Sequence, residues 1–274
     1  QRLWAKALSL IARTDNFNLT YENGYSSRYS KKEERPNFLY QLGIPHQFEN
    51  EKEELDMLNT RDSYSVSTAY PLLTNLSTSL SYAYTVDRRY STASQKETTT
   101  VFPNLRVTLT SFERLIRATK FLSSSRLSSS YTYTEKERGS IDWDAPDYDK
   151  ASFLQQTYAF SPLISWNANW VFDISSSVSY NVSKSISTNF RDTFDAVQTT
   201  DTNSINSNIS YSFRSPQGIK LPFLTTRMPI TNEMTTEVGF NWEKTKSSNK
   251  GVQDTIVDKD TEKYSVNPKV TYNF

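Results

Sequence analysis

The side chains of this sequence that could do chemistry are few and poorly placed for it. His46 is the only histidine and there is no cysteine, so any histidine-based mechanism would have to use His46. Residues 44–48 around it carry neither an acid nor a nucleophile motif. A single loop histidine is usually solvated rather than catalytic. The sequence therefore gives no support for an enzyme or for a bound cofactor.

Four aspartates in one segment are the best candidate for a metal site: Asp142, Asp144, Asp147 and Asp149. Calcium prefers about six to eight oxygen ligands, which closely spaced carboxylates could supply in part. However, the segment lacks the glycine turn of an EF-hand loop and contains Pro146. A solvated surface loop is the favoured interpretation, with a calcium site as the weak alternative.

Composition excludes several classes of protein. The chain has 31 basic and 30 acidic residues, so it carries no electrostatic footprint for nucleic acid. Mean hydropathy is −0.65, and no window approaches the roughly 18 consecutive apolar residues of a membrane-spanning helix. Aromatic residues nevertheless make up 14% of the chain. This balance is typical of transmembrane β-barrels, in which one face of each strand is apolar and aromatic and the other is polar.

The clearest pattern lies between positions 170 and 190, where nearly every apolar residue has an even number and nearly every odd residue is Ser, Asn or Asp. A period of two residues predicts a β-strand with an apolar and a polar face. The even positions are predicted to face lipid: Trp170, Phe172, Ile174, Val178, Tyr180 and Val182. The odd positions are predicted to face the lumen: Ser175, Ser177, Ser179 and Asn181.

Similar alternation elsewhere predicts about ten or eleven strands in one unit spanning residues 1–274. The fold class is therefore all-β, an antiparallel transmembrane β-barrel segment. Compact connections are predicted at 71–75 and 161–169, and long polar ones at 87–100, 135–150, 191–203 and 246–261, which we assign to the cell exterior. The first sixty residues fit less cleanly, since 38–44 could be a partial crossing and Asn23-Gly24 a tight hairpin or a bulge.

Two segments have helical periodicity, residues 1–13 and residues 110–121. The second begins with a potential capping box formed by Thr110 and Glu113. Both would be short helices on the periplasmic side, bracing or plugging the end of the barrel, with docking of a partner as the alternative.

Several phrases resemble the SprA (Sov) family, the outer-membrane translocon of the type 9 secretion system. They are Val101 to Thr108 leading into Phe112 to Leu115, Ala159 to Ile164, Tyr211 to Phe223, and Phe38 to Gly43. Within them, the residues that carry the resemblance most clearly are Phe102, Pro103, Arg106, Phe160, Ser161, Pro162, Leu163, Leu221, Pro222 and Phe223. Each phrase is modest alone, but the four occur in the family's order across most of the chain.

The resemblance implies that this chain is the C-terminal part of a very large barrel in the bacterial outer membrane. It implies a role in passing folded proteins to the cell surface, with links to gliding motility. The implied partners are outer-membrane lipids, secreted protein cargo, a PorV-like shuttle barrel and a periplasmic plug protein. Family members are usually much longer, which indicates an excerpt from a longer chain.

Two alternatives remain open from the residues alone. One is a complete small outer-membrane porin or transport barrel, favoured by the aromatic residues at positions 264–274. The other is a soluble Ser/Thr-rich adhesin of the β-sandwich type, in which apolar faces would pack on each other about 10 Å apart.

Overall fold

A computed structural model of the chain describes residues 16–28, 57–91, 93–142, 145–148, 150–191, 195–219, 228–250 and 256–272. Ten β-strands account for nearly all of them. Their bounds are β1 Asn16–Arg28, β2 Met57–Leu73, β3 Leu76–Tyr90, β4 Gln95–Thr110, β5 Leu122–Ser140, β6 Phe153–Trp170, β7 Ile174–Asn189, β8 Ala196–Ile219, β9 Met228–Lys250 and β10 Ile256–Tyr272.

The strands form one antiparallel sheet in which each strand pairs with its neighbours in sequence, from β1 to β10. The all-β class and the predicted number of strands are confirmed. Among the described residues no second sheet is present, and no pairing joins β1 to β10, so these strands are the two edges of the sheet. The described residues thus do not form the two packed layers of a β-sandwich.

The two ends of the sheet differ. We call the end that carries Thr74–Asn75, residues 111–121 and Val171–Asp173 the turn end, and the opposite end, with Ser91–Ser94 and Ile141–Ser152, the loop end. The last strand, β10, finishes at the turn end. Within the described part of the chain, no helix has the length and apolar character needed to cross a membrane.

The helix predicted over residues 110–121 is much shorter in the structure. It is a single turn, α1, at Phe112–Leu115. The predicted capping box is absent, because Thr110 ends β4 and its hydroxyl donates to the Asn75 carbonyl, whereas Ser111 precedes the helix in the left-handed region at φ 56°. Glu113 is used by another strand, as described below.

The long strand predicted from Trp170 to Phe190 is interrupted near its start. Trp170 ends β6, the turn Val171–Asp173 follows, and β7 begins at Ile174. Asp173 has φ 57°, a conformation that Asp tolerates better than most residues and that allows a three-residue hairpin loop. The compact connection predicted at 161–169 is wrong for the same reason, since those residues belong to β6.

The sheet accommodates a proline, Pro162, within the predicted turn at residues 161–169. Pro162 lies where the pairing of β6 with β7 shifts register, between Phe160 and Ile164. Pro103 lies at an equivalent shift in β4, between Val101 and Asn104. Proline has no N–H to donate to a sheet ladder and is therefore found at bulges and edges.

The long polar connections are also shorter than predicted, because the strands continue into them. The segment 87–100 is reduced to Ser91–Ser94 and the segment 135–150 to Ile141–Ser152, while β8 begins at Ala196 and β9 extends to Lys250. Charged residues there pair across strands: Glu97 contacts Lys136 and Arg138 at 2.7 and 2.9 Å, and Arg88 contacts Asp62 at 3.4 Å. Charge in these segments marks the ends of strands rather than loops.

Asn23-Gly24 marks neither a hairpin nor a bulge. Asn23 pairs with Asp62 and Gly24 with Arg61 in an unbroken register between β1 and β2. The predicted helix at 1–13, the possible crossing at 38–44, His46, and the family-motif residues Leu221, Pro222 and Phe223 lie outside the described residues.

The described residues contain little hydrophobic core, and the one buried cluster among them lies at the loop end. Leu58, Tyr90 and Ile141 form a small buried cluster, with Tyr25 and Tyr148 packed against it. No large side chain among the described residues is completely buried. In a water-soluble protein, one face of a sheet of this size would be covered by other elements.

Candidate functional site

The two faces of the sheet have opposite chemistry. In β7 the even-numbered residues share one face and the odd-numbered residues the other, and the registers carry this division across all ten strands. We call the face that bears Val178 the apolar face and the face that bears Ser177 the polar face. The row through Val178 is apolar nearly throughout: Leu76, Leu109, Leu127, Trp166, Val178, Ser207, Phe240 and Val266.

The apolar face is largely uncovered. Ile209 is 54% exposed, Val238 50% and Val178 40%, although each lies in the middle of a strand. Monomeric water-soluble proteins rarely expose contiguous apolar patches larger than a few hundred Å². An apolar surface that extends over ten strands therefore indicates a non-aqueous neighbour.

Among the residues that the structure describes, the middle of the apolar face carries no charged side chain. Toward the loop end, one register row on this face alternates in sign, with Lys184, Asp201, Lys246 and Asp260 in succession. From the row of Tyr180, Ile205, Trp242 and Tyr264 to the turn end, the described residues of this face carry no charge on β7 to β10. On β2 to β5 the charged positions of this face likewise lie toward the loop end: Asp62, Arg88, Lys96, Glu135 and Glu137.

The polar face carries charge at the same level of the sheet. Arg106 and Arg126 lie there on β4 and β5, and Lys269 of β10 is directly opposite Glu237 of β9. Asn208 Nδ2 donates to Glu237 Oε1 at 2.9 Å. The absence of charge is thus a property of one face and not of the whole middle region of the sheet.

Aromatic side chains border the uncharged part of the apolar face on both sides. Toward the loop end, Tyr21 packs on Tyr64 and Tyr133 on Tyr158, each pair with ring centroids 4.9 Å apart. In the same border, Trp242 Nε1 donates to Glu262 at 2.7 Å. Toward the turn end lie the following aromatic residues: Trp170, Tyr211, Phe213 and Tyr272.

Small hydroxyl and amide side chains cover most of the polar face and bond to each other across strands. Ser175 pairs with Ser210 at 2.9 Å, and Asn181 donates to Ser204 at 3.1 Å. Three shallow depressions of about 410, 520 and 440 Å³ open on this face. Their walls are dominated by Ser, Asn and charged residues, which suits contact with water or a hydrated solute.

The residues predicted to face lipid or the lumen lie as follows in the structure. Ile174, Val178, Tyr180 and Val182 share the apolar face of β7, and Ser175, Ser177, Ser179 and Asn181 share the polar face. Trp170 lies at the end of β6 on the same side as Ser176, to which its Nε1 donates at 2.9 Å. Phe172 is in the turn and 72% exposed. Contact with lipid or a lumen stays a prediction for both sets.

A buried latch at the turn end was not foreseen from the sequence. Glu113 of α1 is only 4% exposed and Ser125 of β5 only 5%. The Glu113 carboxylate accepts hydrogen bonds from the backbone N–H and the hydroxyl of Ser125, at 2.8 and 2.7 Å, while the Ser125 hydroxyl accepts the Glu113 N–H at 2.8 Å. We call these contacts the Glu113–Ser125 latch. No sequence pattern links the two residues.

The latch predicts a pH dependence of stability. Burial acts to raise the pKa of Glu113, but the hydrogen bonds from Ser125 and from backbone N–H groups outweigh it, so the pKa lies below its ordinary value. A carboxyl whose folded-state pKa is lowered stabilises the fold above its unfolded pKa, near 4.5, and loses that contribution as the pH falls through the folded value. When the denaturant concentration at half-unfolding is measured at a series of pH values, we expect it to fall less steeply with decreasing acid pH in Glu113→Gln than in the unsubstituted protein. An unchanged dependence on pH would contradict the ionised latch.

The four candidate metal-binding aspartates are only partly described. The Asp147 carboxylate is bound by Lys96 Nζ, which lowers the pKa of Asp147, and the Asp142 N–H donates to the Ala145 carbonyl at 3.1 Å. Asp144 and Asp149 lie outside the described residues. Among the residues that are described, no three acidic or histidine side chains are grouped to hold an ion.

The described family-motif residues cluster at irregular points of the sheet. Phe102 and Pro103 lie at the register shift of β4, and Phe160 to Leu163 at that of β6. The Phe102 ring packs edge-on against Tyr82, with centroids 5.9 Å apart, and is 47% exposed. Arg106 lies on the polar face.

No protein-family model matches this chain, and no curated protein matches it at a significant level. The functional inference therefore rests on the chemistry of the two faces of the sheet.

Proposed function

We propose that this chain forms part of the wall of a β-barrel in the bacterial outer membrane. Its apolar face would contact lipid and its polar face water. The observation that carries the proposal is the uncharged, exposed apolar surface that continues across ten strands while charges occupy the polar face at the same level. A charged side chain on the lipid face is costly at mid-membrane and costs little near the interfaces. The observed distribution follows that cost.

The height of the uncharged part of the apolar face is close to that of the apolar band of an outer-membrane barrel. From Tyr264 to Tyr272 on β10 the strand rises about 27 Å, or about 20 Å along the membrane normal at a tilt of about 40°. The apolar band of outer-membrane barrels is about 25 Å tall and is bordered by aromatic girdles. β8 has 24 residues, more than the roughly 9–11 needed to cross, so the strands extend beyond the membrane at the charged loop end.

We assign the loop end to the cell exterior and the turn end to the periplasm. The strand extensions with their ion pairs, and the 12-residue connection Ile141–Ser152, lie at the loop end. The tightest hairpins, at Thr74–Asn75 and Val171–Asp173, lie at the turn end. Outer-membrane barrels have short periplasmic turns and longer exterior loops.

The more specific proposal is that the wall belongs to a protein-export channel, the type 9 secretion translocon. It is supported by the resemblance of the motif phrases and by the open edges of the sheet. Unpaired backbone groups in hydrocarbon cost several kcal/mol each, so spanning sheets close. Unpaired β1 and β10 fit a sheet that continues into further strands. Secreted cargo, a PorV-like shuttle barrel and a plug protein are the proposed partners.

The alternatives have less support. A complete small porin would pair its first and last strands, which the described β1 and β10 do not do. A β-sandwich adhesin would cover its apolar face with a second sheet, and the described residues form one sheet only.

Cysteine labelling tests the wall. The chain has no cysteine, so single cysteines can be placed from Ile174 to Val182 and labelled with a membrane-impermeant maleimide in intact outer membranes. We expect protection at Val178 and Tyr180 and labelling at Ser177 and Ser179, since these pairs lie on opposite faces. Uniform labelling of both sets would refute the membrane-wall proposal.

The same variants test export. A short bifunctional crosslinker attached at Ser177→Cys should capture a secreted protein in transit, whereas Val178→Cys should not. If residues of the polar face are labelled but no cargo is crosslinked at Ser177→Cys in a strain that secretes normally, the membrane-wall proposal would stand and the export-channel proposal would be refuted.

A further inference from the structure

We propose that the turn end of this sheet carries a second membrane contact, an amphipathic anchor that binds the headgroups of anionic phospholipids. The anchor is formed by residues 111–121 together with the turn Val171–Asp173. It rests on the proposed membrane wall but is not part of the strand surface that defines it.

The first observation is a set of large apolar side chains at the tips of these connections. Leu115 and Phe121 are each 64% exposed, Ile116 and Val171 50%, and Phe172 72%. The segments are held together by backbone hydrogen bonds, since the Val171 N–H donates to the Phe121 carbonyl at 3.0 Å. Through this bond the two connections carry their exposed apolar side chains in one region of the turn end, which we call the apolar patch.

The second observation is charge. Arg114, Arg117 and Lys120 lie between these apolar residues at a spacing of three, and all three are exposed. Within the described part of the chain, none of them forms a salt bridge with an acid. The only acid in residues 111–121 is Glu113, which is buried and bound to Ser125. The exposed surface of residues 111–121 is therefore both apolar and basic, and the turn Val171–Asp173 adds one exposed acid, Asp173.

The third observation is position. The Glu113–Ser125 latch attaches α1 to a residue whose register row contains Ala168 and Ser176, at the turn-end margin of the apolar face. Leu122, which follows the segment, pairs with Trp170 in the turn-side aromatic border. The patch therefore continues the surface that faces lipid and extends it to headgroup level.

These three properties indicate which molecule contacts the anchor. Apolar side chains insert at the boundary between acyl chains and headgroups, while neighbouring Lys and Arg attract anionic headgroups. Phosphatidylglycerol offers a phosphodiester with a net negative charge, whereas phosphatidylcholine carries a compensating cation. We infer a preference for the anionic phospholipid in the leaflet at the turn end.

The test uses the full chain, purified in detergent and reconstituted into vesicles. A fluorophore is attached at Ile116→Cys, and its quenching by brominated phosphatidylglycerol and by brominated phosphatidylcholine is compared at equal mole fraction in a phosphatidylcholine background. We expect an apparent preference of about fivefold for phosphatidylglycerol, which corresponds to one engaged basic side chain near an anionic surface. The variant Arg114→Gln/Arg117→Gln/Lys120→Gln should lose that preference.

The matched control removes the same charge from the other face, in Arg106→Gln/Arg126→Gln/Lys269→Gln, and should keep the preference. Equal quenching by both lipids would overturn the inference. So would quenching at Val178→Cys without quenching at Ile116→Cys, which would leave the wall intact but place another protein or water at the turn end. Absence of lipid quenching at both sites would overturn the inference and the proposed wall together.

Discussion

With the apolar face in lipid, as we propose, Val178→Arg should destabilise the protein by about 2–4 kcal/mol, the cost of Arg on the lipid face near mid-membrane. Val178 lies midway between Ile174 and Val182 on the apolar face of β7 and is 40% exposed. Its neighbours in the register row are Trp166 and Ser207, neither of which could neutralise an added guanidinium. The expected penalty therefore comes from lipid and not from loss of packing in a protein core.

The matched substitution is Ser177→Arg, one residue away on the polar face. Ser177 lines two of the depressions on that face, where an added charge would stay hydrated. Both variants should be compared by reversible denaturant unfolding in lipid vesicles, with Val178→Ala to separate loss of volume from gain of charge. Equal losses for the two arginine variants would contradict the assignment of the faces.

The second large effect is expected at the latch. Ser125→Ala removes the hydroxyl that donates to the Glu113 carboxylate and accepts the Glu113 N–H. Hydrogen bonds to charged groups contribute about 1.5–3 kcal/mol, and a buried group left without a partner adds to the loss. We therefore expect a loss of about 2–4 kcal/mol in the free energy of unfolding.

Ser123→Ala is the control for this prediction. Ser123 is exposed, and its hydroxyl makes one hydrogen bond, to the Asn169 carbonyl at 3.0 Å, so the cost should stay below about 1 kcal/mol. Both variants can be measured by denaturant unfolding at neutral pH. A Ser125→Ala protein as stable as the Ser123→Ala protein would show that the latch contributes nothing to the fold.

Together these variants separate two kinds of stabilisation in one sheet. The latch acts within the protein and should matter in detergent and in lipid alike. The destabilisation expected for Val178→Arg depends on contact with hydrocarbon and should be smaller in a loosely packed, hydrated micelle. A comparison of the two media therefore tests the proposed environment of the apolar face without reference to any activity.

The sequence by itself determined the all-β class, the number of strands and the division of β7 into an apolar and a polar face. These properties follow from the two-residue period of a strand, which is set by local backbone geometry and is visible in the order of residues. Val178 and Ser177 could be assigned to opposite faces without knowing their neighbours.

Strand ends could not be read in the same way. Residues 87–90 and 135–140 are charged and resemble loops in isolation, but Arg88, Glu97 and Arg138 are satisfied by partners on adjacent strands. Pro162 resembles a turn, but a register shift lets the sheet continue past it. Whether a polar or proline-containing segment stays in a sheet depends on cross-strand pairs that are distant in sequence.

Only the tertiary structure decided the properties on which function is inferred. The charge-free region of the apolar face exists because the registers align uncharged positions of ten strands and move Lys184, Asp201 and Lys246 into one row toward the loop end. The latch joins Glu113 to Ser125 across the connection between β4 and β5, where the sequence suggested a capping box. Periodicity fixes the face on which a residue lies, but only strand pairing fixes its level and its partners.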